Sequence, residues 1–570
     1  MNALPLFASL LGRAALLLAL LAPAAGLAVE PVRVVATGGR IGYTFYTPAA
    51  ANTAFRHRTA HKLGGPVAEI RIGFMDWMYT DKTETANATN DVTITHAWLE
   101  RASTGQVVPL TFSGQRELVL PQNSTTPLWL SDPVPSSVWT GAAPARDEVF
   151  WLHARGTIPE GGKVPVGTPV GFAGSRFVMF PPANDPGTID VAGAVPTIAG
   201  GATRSDGLPV IFLGRFTGPG HLSVIGIGDS ILHGTGDSTS STPIAIVGSG
   251  FFNRAALDSN GENAIAMFNL TRHGQTAAAW ISPGKQSRQT PFLQYANVVV
   301  EEYGTNDLGS GGTGTPSTIL GRLETIWSAA RAAGVQKIVR TLLLPRTSST
   351  DSWSTLAGQT PNNGWAAGGK RDEINDGLRA ALAAGKIDVL VDTLAVLADP
   401  ADDTRWLTNG AVKYVTTDGT HVGPTGNALL APVLRAALLS LTVDDYPAWT
   451  ARFSWNGADT APEADADEDG YANLLEYALG TDPTSAESTP LPGLQVSSSG
   501  LHPSTRLSLT FTPVVISGLA YVVQTSSDLL AWDEHPIPSS ELVAGVPYVY
   551  TDDIPLGVAP RRFLRLRVTL

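Results

Sequence analysis

A serine, a histidine and a carboxylate arranged as in an ester-cleaving site are the most informative residues of this sequence. Gly228-Asp229-Ser230 directly follows the apolar segment 222–227, and Asp418 and His421 lie far downstream in a short Asp-Gly-Thr-His element. A serine hydroxyl is a weak nucleophile at neutral pH, so it needs a base to take its proton and a third group to orient that base. The sequence therefore indicates all three groups of a serine esterase site.

The choice of serine needs an argument, because a second Gly-Asp-Ser tripeptide occurs at 236–238. Ser230 comes directly at the end of an apolar segment that we interpret as a strand. Ser238 lies several residues further out, in a segment that we interpret as a flexible loop. We therefore predict Ser230 as the nucleophile.

The elements around these residues follow an alternating pattern of strands and helices. Buried strands are predicted at 222–227, 264–270, 297–301, 337–344 and 387–392, and helices at 316–333, 370–384 and 424–441. This alternation indicates a parallel sheet with helices on both faces. Sites in such sheets form at the carboxyl ends of strands, where the strand order reverses. We predict the order 2-1-3-4-5, with strands one and three flanking the site.

Two further motifs lie where this sheet predicts a site. Arg272-His273-Gly274 follows the second strand, and Gly304-Thr305-Asn306-Asp307 ends the third. With the serine and histidine segments they make four blocks that, in this order over residues 221–443, resemble the SGNH, or GDSL, hydrolase family. The resemblance implies a flavodoxin-like, three-layer α/β hydrolase domain over that range.

The resemblance also implies a role for each triad residue, and each role is physically reasonable. Ser230 is expected to attack the ester carbonyl. His421 is expected to take the serine proton and then to protonate the leaving alcohol. Asp418 is expected to hold the imidazole in the right tautomer and to stabilise its charged form.

Attack by serine places negative charge on the former carbonyl oxygen, which needs hydrogen-bond donors. The resemblance assigns these to the backbone amides of Ser230 and Gly274 and to the side-chain amide of Asn306. A glycine at position 274 would let the backbone approach the substrate closely. We interpret Asp229 and Asp307 mainly as loop and helix-start hydrogen-bonding residues.

Two positions separate this sequence from common patterns. His273 stands where small residues are more usual in the family, and it is interpreted either as shaping the pocket or as a neutral wall residue. Position 232 is leucine, so the G-x-S-x-G motif of the other large esterase class is absent around Ser230.

Composition and charge exclude several classes of function. The 570 residues carry a net charge of -12, which provides no basic surface for nucleic acid and repels an anionic membrane. The absence of cysteine excludes disulfides and thiolate metal ligands. Arg13, the apolar segment 14–21 and the small residues up to Ala28 are typical of a secretory signal peptide at 1–28, and no later segment is apolar enough to span a membrane. A secreted, periplasmic or cell-surface protein is expected.

Residues 29–220 contain short β-prone segments separated by turn residues, which indicate an N-terminal β-sandwich accessory domain. The tryptophans of this region are interpreted mostly as core residues, with a sugar-stacking platform as the alternative. They are Trp77, Trp98, Trp129, Trp139 and Trp151.

An acidic segment within 455–484 has the spacing of a calcium loop. Carboxylates recur at loop positions 1, 3, 5 and 12, and Gly470 provides a sharp turn. The segment resembles an EF-hand-like or thrombospondin-type-3-like loop, and the alternative is an acidic linker turn. The expected ligands are Asp465, Asp467, Asp469, Tyr471 through its carbonyl, Asn473 and Glu476. Alternating residues after it predict a small C-terminal β-domain at 490–570.

The sequence thus predicts a multidomain, secreted serine esterase that works through an acyl-enzyme without a catalytic cofactor. Its expected partner is an ester, most of all an acetylated polysaccharide. A polar loop at 346–369 contains Trp353 and Trp365, and a substrate contact by at least one of them is as well supported as an ordinary insertion. The alternatives are a lipase, lysophospholipase or thioesterase of the same family, or a non-catalytic glycan-binding surface protein. The oligomeric state stays open.

Overall fold

A computed structural model describes residues 30–570 apart from 81–82, 170–173, 238–247, 283, 285–286, 451–452, 454, 487–491, 500–501, 515–518, 539–540, 543–546, 557 and 560. The predicted signal peptide and Ser238 lie outside the described residues. One compact unit contains Glu30–Arg452 and Val514–Leu519, and a second contains Phe453–Pro513 and Ala520–Leu570. In the described part of the chain, no helix combines the length and apolar character that a membrane crossing requires.

The N-terminal part of the first unit consists of short strands and turns. The strands are β1 (Arg33–Val34), β2 (Gly39–Arg40), β3 (Thr44–Tyr46), β4 (Ala54–Lys62), β5 (Val67–Phe74), β6 (Trp77–Thr80), β7 (Thr83–Ala86), β8 (Val92–Arg101), β9 (Val107–Pro109), β10 (Leu118–Leu120), β11 (Trp129–Leu130), β12 (Val134–Pro135), β13 (Val149–Thr157), β14 (Val164–Val166), β15 (Thr168–Pro169), β16 (Arg176–Phe180), β17 (Ala202–Arg204), β18 (Asp206–Gly207) and β19 (Val210–Phe216).

The rest of this unit alternates strands and helices. Its strands are β20 (Ser223–Ile227), β21 (Ala266–Asn269), β22 (Val298–Glu301), β23 (Lys337–Thr341), β24 (Thr347–Ser349), β25 (Gln359–Pro361), β26 (Val389–Val391), β27 (Ala398–Asp399) and β28 (Asp402–Trp406). Its helices are α1 (Ser230–His233), α2 (Phe251–Arg254), α3 (Ala277–Ile281), α4 (Thr305–Leu308), α5 (Pro316–Ala332), α6 (Lys370–Ala383), α7 (Leu394–Leu397), α8 (Pro424–Leu439) and α9 (Tyr446–Thr450).

The central sheet confirms the predicted order 2-1-3-4-5. The parallel strands lie side by side as β21-β20-β22-β23-β26. The first and third strands, β20 and β22, are buried along their whole length because both faces of the sheet are covered. Two of the three long helices, α5 and α8, begin with a proline at a first-turn position, where the missing N–H costs no hydrogen bond.

The N-terminal strands do not form a separate accessory domain with a boundary at residue 220. Beyond β21 the same sheet continues through β2, β19 and β5, with Gly39 pairing Phe268 and Arg40 pairing Asn269. A second sheet, in the order β10-β8-β13-β4-β16-β17, packs on this extension, and the ring of His61 stacks on Phe212 at 4.0 Å. The β-rich character of 29–220 was predicted correctly, but its strands share one sheet with the α/β region.

A single hydrophobic core joins the two regions of this unit. Val35 and Ile72 from the N-terminal strands belong to the same buried cluster as Ile225 and Val299 from the parallel strands. Burial of apolar surface is the main stabilising contribution to a fold, and here it is shared across the predicted boundary.

The second unit contains α10 (Asn473–Leu479) and two small antiparallel sheets. Their strands are β29 (Gly493–Ser499), β30 (His502–Phe511), β31 (Ala520–Ser526), β32 (Asp533–Pro536), β33 (Tyr548–Thr551) and β34 (Phe563–Thr569), in the orders β29-β30-β33 and β32-β31-β34. The hydroxyl of Tyr521 on β31 donates to the carbonyl of Ala478 on α10 at 2.7 Å. The acidic loop before α10 is therefore part of this unit and not a linker outside it.

Candidate active site

Ser230 lies at the carboxyl end of β20, as the first residue of α1. Asp229 is the N-cap of that helix, and its Oδ1 accepts a hydrogen bond from the Ile231 amide at 2.9 Å. This cap fixes the turn from strand to helix. It leaves Ser230 at the sheet edge, 8% exposed.

The structure brings the three predicted triad residues into one hydrogen-bonded chain. His421 Nε2 is 2.8 Å from Ser230 Oγ, and His421 Nδ1 is 2.7 Å from Asp418 Oδ2. This pattern places the ring proton on Nδ1, where it is donated to the carboxylate, and leaves Nε2 as the acceptor for the serine hydroxyl. The histidine is thereby oriented as a base toward Ser230.

Asp418 stays ionised over a wide pH range. Its partial burial would by itself raise the pKa, but hydrogen bonds from the His421 side chain and from the backbone amides of His421 and Thr420 outweigh burial and hold the pKa below its usual value. Those amides donate to Oδ1 at 2.8 and 3.0 Å. Oδ2 is therefore left to orient the imidazole.

Hydrogen bonds and close packing at Gly419 support the loop that carries Asp418 and His421. Gly419 adopts φ +78°, and its carbonyl accepts from the Thr347 amide at 3.0 Å and from the Trp406 indole at 3.1 Å. A Cβ at this glycine would lie 2.0 Å from the Thr347 carbonyl oxygen and 2.8 Å from the ring of Trp353. The loop therefore needs glycine both for its backbone conformation and for its close packing.

Asn306 reaches the site from α4, which follows the left-handed Gly304 at the end of β22. Its Nδ2 donates to Asp229 Oδ2 at 2.9 Å and to the Gln275 carbonyl at 3.2 Å. The side-chain amide predicted for the oxyanion hole thus lies beside the residue that precedes the nucleophile.

Gly274 lies on the loop after β21 and has φ +70°. A Cβ there would meet no atom of the protein within 4 Å. The left-handed backbone conformation therefore explains the glycine. Close packing against another segment of the protein does not.

Asp307 acts as a helix-start residue, but for a neighbouring helix and not for its own. Its carboxylate accepts from the amides of Ala277 and Ala278 at the start of α3, at 2.8 and 3.1 Å. Arg322 lies 3.4 Å away as a counter-charge. This cap fixes the end of the Gly274 segment relative to Asn306.

His273 forms part of the wall beside Gly274. Its Nδ1 lies 2.8 Å from the Thr235 hydroxyl, and its ring packs against His233 with centroids 4.3 Å apart. Burial, with the charges of Arg272 and Arg40, lowers the pKa of His273 to about 4. Of the two interpretations, the structure favours a neutral wall residue.

Few of the tryptophan rings singled out in the sequence are accessible to a substrate. Trp365 is completely buried, and its indole donates to the Gly309 carbonyl, so it contacts no substrate. Trp353 is partly exposed and supports the Gly419 loop. The segment 346–369 also contains the β24–β25 hairpin in place of an irregular loop. Trp77, Trp98 and Trp139 are buried, as expected for core residues.

Glu302 is the site residue that sequence reasoning missed. It follows β22 directly, is 4% exposed, and its Oε2 lies 3.4 Å from the backbone amide of Asp229, behind the nucleophile. A signal was present, because two glutamates end an otherwise apolar Val-Val-Val strand. A buried carboxyl group at a sheet edge is unusual unless it has a specific partner.

The acidic loop of the second unit gathers three of the predicted metal ligands. Carboxylate oxygens of Asp465, Asp467 and Asp469 lie within 4.8 Å of one another. Oδ2 of Asp467 and Oε2 of Glu476 are buried without a hydrogen-bond partner among the described residues. Burial and the neighbouring aspartates raise the pKa of Glu476 to about 8.

Two other predicted ligands have local roles in this loop. Asn473 begins α10, and its Nδ2 donates to the carbonyls of Asp459 and Ala461 at 3.0 and 2.9 Å, which holds the preceding turn. Its Oδ1, the atom that could bind a cation, is buried without a hydrogen-bond partner among the described residues. The Tyr471 amide donates to Asp469 Oδ1 at 2.8 Å. Oxygen-rich, partly unsatisfied carboxylates match the ligand preference of calcium.

Comparison with known proteins identifies similar structures for part of the chain. A GDSL-like lipase from Bacteroides thetaiotaomicron is 18% identical, with 38% of this chain and 87% of that chain covered and a TM-score of 0.25. A lipase/acylhydrolase from Enterococcus faecalis is 18% identical, with 38% and 94% covered and a TM-score of 0.26. An acetylxylan esterase from Geobacillus stearothermophilus is 14% identical, with 38% and 93% covered and a TM-score of 0.26. No family model and no curated protein matches the sequence.

Proposed function

We propose that this chain is a serine esterase that hydrolyses carboxylic esters through an acyl-enzyme intermediate. The observation that carries the proposal is the continuous chain from Ser230 Oγ through His421, at 2.8 Å, to Asp418, at 2.7 Å. These are the contacts that an activated serine requires. A decayed, non-catalytic glycan-binding protein would not need to keep all three groups in contact.

The proposed reaction proceeds in two half-reactions. Ser230 Oγ bonds to the ester carbonyl carbon while its proton moves to His421 Nε2, and the negative charge on the carbonyl oxygen is met by donors of the site. Nε2 then returns the proton to the leaving alcohol as its C–O bond breaks. A water attacks the acyl-enzyme with His421 again as base, which releases the carboxylic acid and restores the serine hydroxyl.

The proposed natural reaction is removal of acetyl groups from a polysaccharide outside the cytoplasm. The secretory pattern at residues 1–28 supports export. A net charge of -12 disfavours binding to anionic lipid surfaces and is compatible with a neutral polymer. Lipase, lysophospholipase or thioesterase activity is the alternative.

The test is an ester panel that compares p-nitrophenyl acetate, long-chain p-nitrophenyl esters and acetylated glycans. We expect acetate release by the wild type and a loss of roughly 10⁴-fold or more in kcat for Ser230→Ala. Ser238→Ala is the matched control, because it removes the serine of the second Gly-Asp-Ser tripeptide, and it is expected to retain activity. Full activity in Ser230→Ala would overturn the mechanism, and activity on long chains alone would overturn the glycan substrate.

We further propose that the acidic loop binds a structural calcium ion through Asp465, Asp467, Asp469 and Glu476, with the Tyr471 carbonyl and Asn473 Oδ1 as further oxygens. The buried, unpartnered oxygens of Asp467 and Glu476 support this assignment, because an uncompensated buried carboxylate is costly. Isothermal titration with Ca²⁺ tests it. Heat of binding that is absent from Glu476→Gln is expected, and no binding by the wild type would exclude the site.

A further inference from the structure

Two carboxyl groups meet in the buried space behind Ser230. Asp229 is fully buried and Glu302 is 4% exposed. Glu302 Oε2 lies 3.4 Å from the backbone amide of Asp229 and 3.4 Å from that of the third residue of α1, so its carboxyl group lies beside Asp229. Glu302 is fixed in place because its backbone amide donates to the Ile227 carbonyl at 3.1 Å and its side chain packs against Gly228.

Two buried carboxyl groups that lie side by side favour a state in which one of them carries a proton. Two buried like charges in contact are strongly unfavourable, so such a pair holds one proton over a wide pH range. Burial and the charge of Asp229 raise the pKa of Glu302 well above its usual value, and burial raises the pKa of Asp229 to about 6. At neutral pH the shared proton therefore lies on Glu302.

The other charged groups around Asp229 and Glu302 do not remove the need for a shared proton. Arg340 faces Glu302, but its guanidinium is ion-paired with Glu301 at 3.1 Å, and both side chains are fully buried. The other titratable or charged groups that face the pair lie on the triad loop, on α4, on the segment after β23 and on the end of β22 itself. They are His421, Asp307, Tyr303, Arg346 and, through its effect on Glu302, Glu301.

The charged member of the pair holds the oxyanion-hole side chain. Asp229 Oδ1 accepts from the Ile231 amide at 2.9 Å, and Oδ2 accepts from Asn306 Nδ2 at 2.9 Å. The second contact of Nδ2, to the Gln275 carbonyl, is longer at 3.2 Å. One N–H of Asn306 is thus anchored by the carboxylate, which leaves the more weakly bonded one to turn to a substrate oxygen.

We propose that Glu302 is a positioning residue for the oxyanion hole, in which its protonated carboxyl group donates to Asp229 and thereby fixes the carboxylate that holds the Asn306 amide. This inference rests on the proposed esterase function. It assigns Glu302 no contact with substrate, and it predicts that loss of the shared proton at alkaline pH weakens catalysis.

The kinetic test compares Glu302→Gln and Glu302→Ala with the wild type on p-nitrophenyl acetate across neutral and alkaline pH. Glutamine keeps an N–H donor toward Asp229, so kcat at neutral pH should stay within about threefold of the wild type and the alkaline decrease should disappear. Alanine removes the donor, and we expect a roughly 10- to 100-fold lower kcat, less than the loss of an oxyanion donor itself. Equal losses in both variants, or an unchanged alkaline decrease in Glu302→Gln, would overturn the proposal.

A stability measurement provides a readout without catalysis. A carboxyl group whose pKa is raised in the folded state favours folding while it is protonated, and this advantage is lost as pH rises from about 4.3 toward the folded value. The melting temperature of Glu302→Gln relative to the wild type should therefore increase with pH. A difference that stays constant with pH would show that Glu302 is not the protonated partner.

Asp76→Asn is the matched control. Asp76 is also buried, with a pKa raised to about 8 by burial, but it faces Asn87 and Asp91 and no residue of the triad. This variant should change the pH dependence of melting and leave the alkaline decrease in kcat intact. If the wild type is inactive but its melting temperature shows the expected pH dependence, the esterase proposal is refuted while the protonation of Glu302 is supported.

Discussion

The two acidic centres of this protein differ in how their carboxylates are satisfied. Around Ser230, the carboxylates of Asp229, Asp307 and Asp418 each accept hydrogen bonds from nearby amides or side chains. In the acidic loop of the second unit, oxygens of Asp467 and Glu476 are buried without a hydrogen-bond partner among the described residues. Because a buried carboxylate needs compensation, the first centre is satisfied by groups of the chain, whereas the second matches the calcium site proposed above.

Apart from loss of the nucleophile itself, the largest expected effect comes from breaking the complete centre at its amide. Asn306→Ala removes the proposed side-chain oxyanion donor, and we expect kcat on p-nitrophenyl acetate to fall roughly 100- to 1000-fold with little change in KM. Circular dichroism serves as the control for folding. A reduction below about tenfold in a folded variant would show that the backbone amides of the site suffice.

A smaller loss is expected from Gly419→Ala, which disturbs the support of the triad loop but removes no catalytic group. The added methyl group would meet the Thr347 carbonyl oxygen at 2.0 Å, so the loop must move. A displacement of about 1 Å can cost about 100-fold in rate. Steady-state kinetics of the purified variant measures the effect.

Gly410→Ala is the matched control for this substitution. Gly410 has φ +89°, but a Cβ there meets nothing within 4 Å. It imposes the same backbone strain without the clash, and near wild-type kcat is expected. Equal losses in the two variants would mean that backbone strain, and not the contact with Thr347, determines the effect.

The smallest expected effect concerns the incomplete centre. Calcium at about 100 times its dissociation constant should stabilise the folded second unit by about 2.7 kcal/mol, and chelator should remove this gain without changing the chemistry at Ser230. Differential scanning calorimetry with and without chelator measures it. In Glu476→Gln the response to calcium should be lost. A wild-type melting temperature that does not change when chelator is added would contradict the proposed calcium site.

Local patterns carried most of the information about the triad and the parallel sheet. The first three strands of the sheet are each followed by a motif, and α5 and α8 are marked by an initial proline. Ser230, Asp418 and His421 were recognisable because a turn and a short spacing define them. These features depend on neighbours in sequence, which a single sequence displays directly.

The features that escaped prediction depend on contacts between distant segments. The joining of β2 to β21 rests on two residue pairs, Gly39 with Phe268 and Arg40 with Asn269, which leave no local pattern. The contact of Glu302 with Asp229 also joins residues that are remote in sequence.

The continuous sheet across β2 and β21 has a consequence for how this protein could have evolved and how it can be divided. Without its N-terminal strands, β21 would become an exposed edge with unpaired backbone groups, which invites aggregation. The buried ion pair between Arg33 and Asp444, at 3.0 Å, would be lost as well. The catalytic region is therefore not a portable module that recombination could transfer by cutting at residue 220, and a truncation there should yield insoluble chain rather than a smaller enzyme.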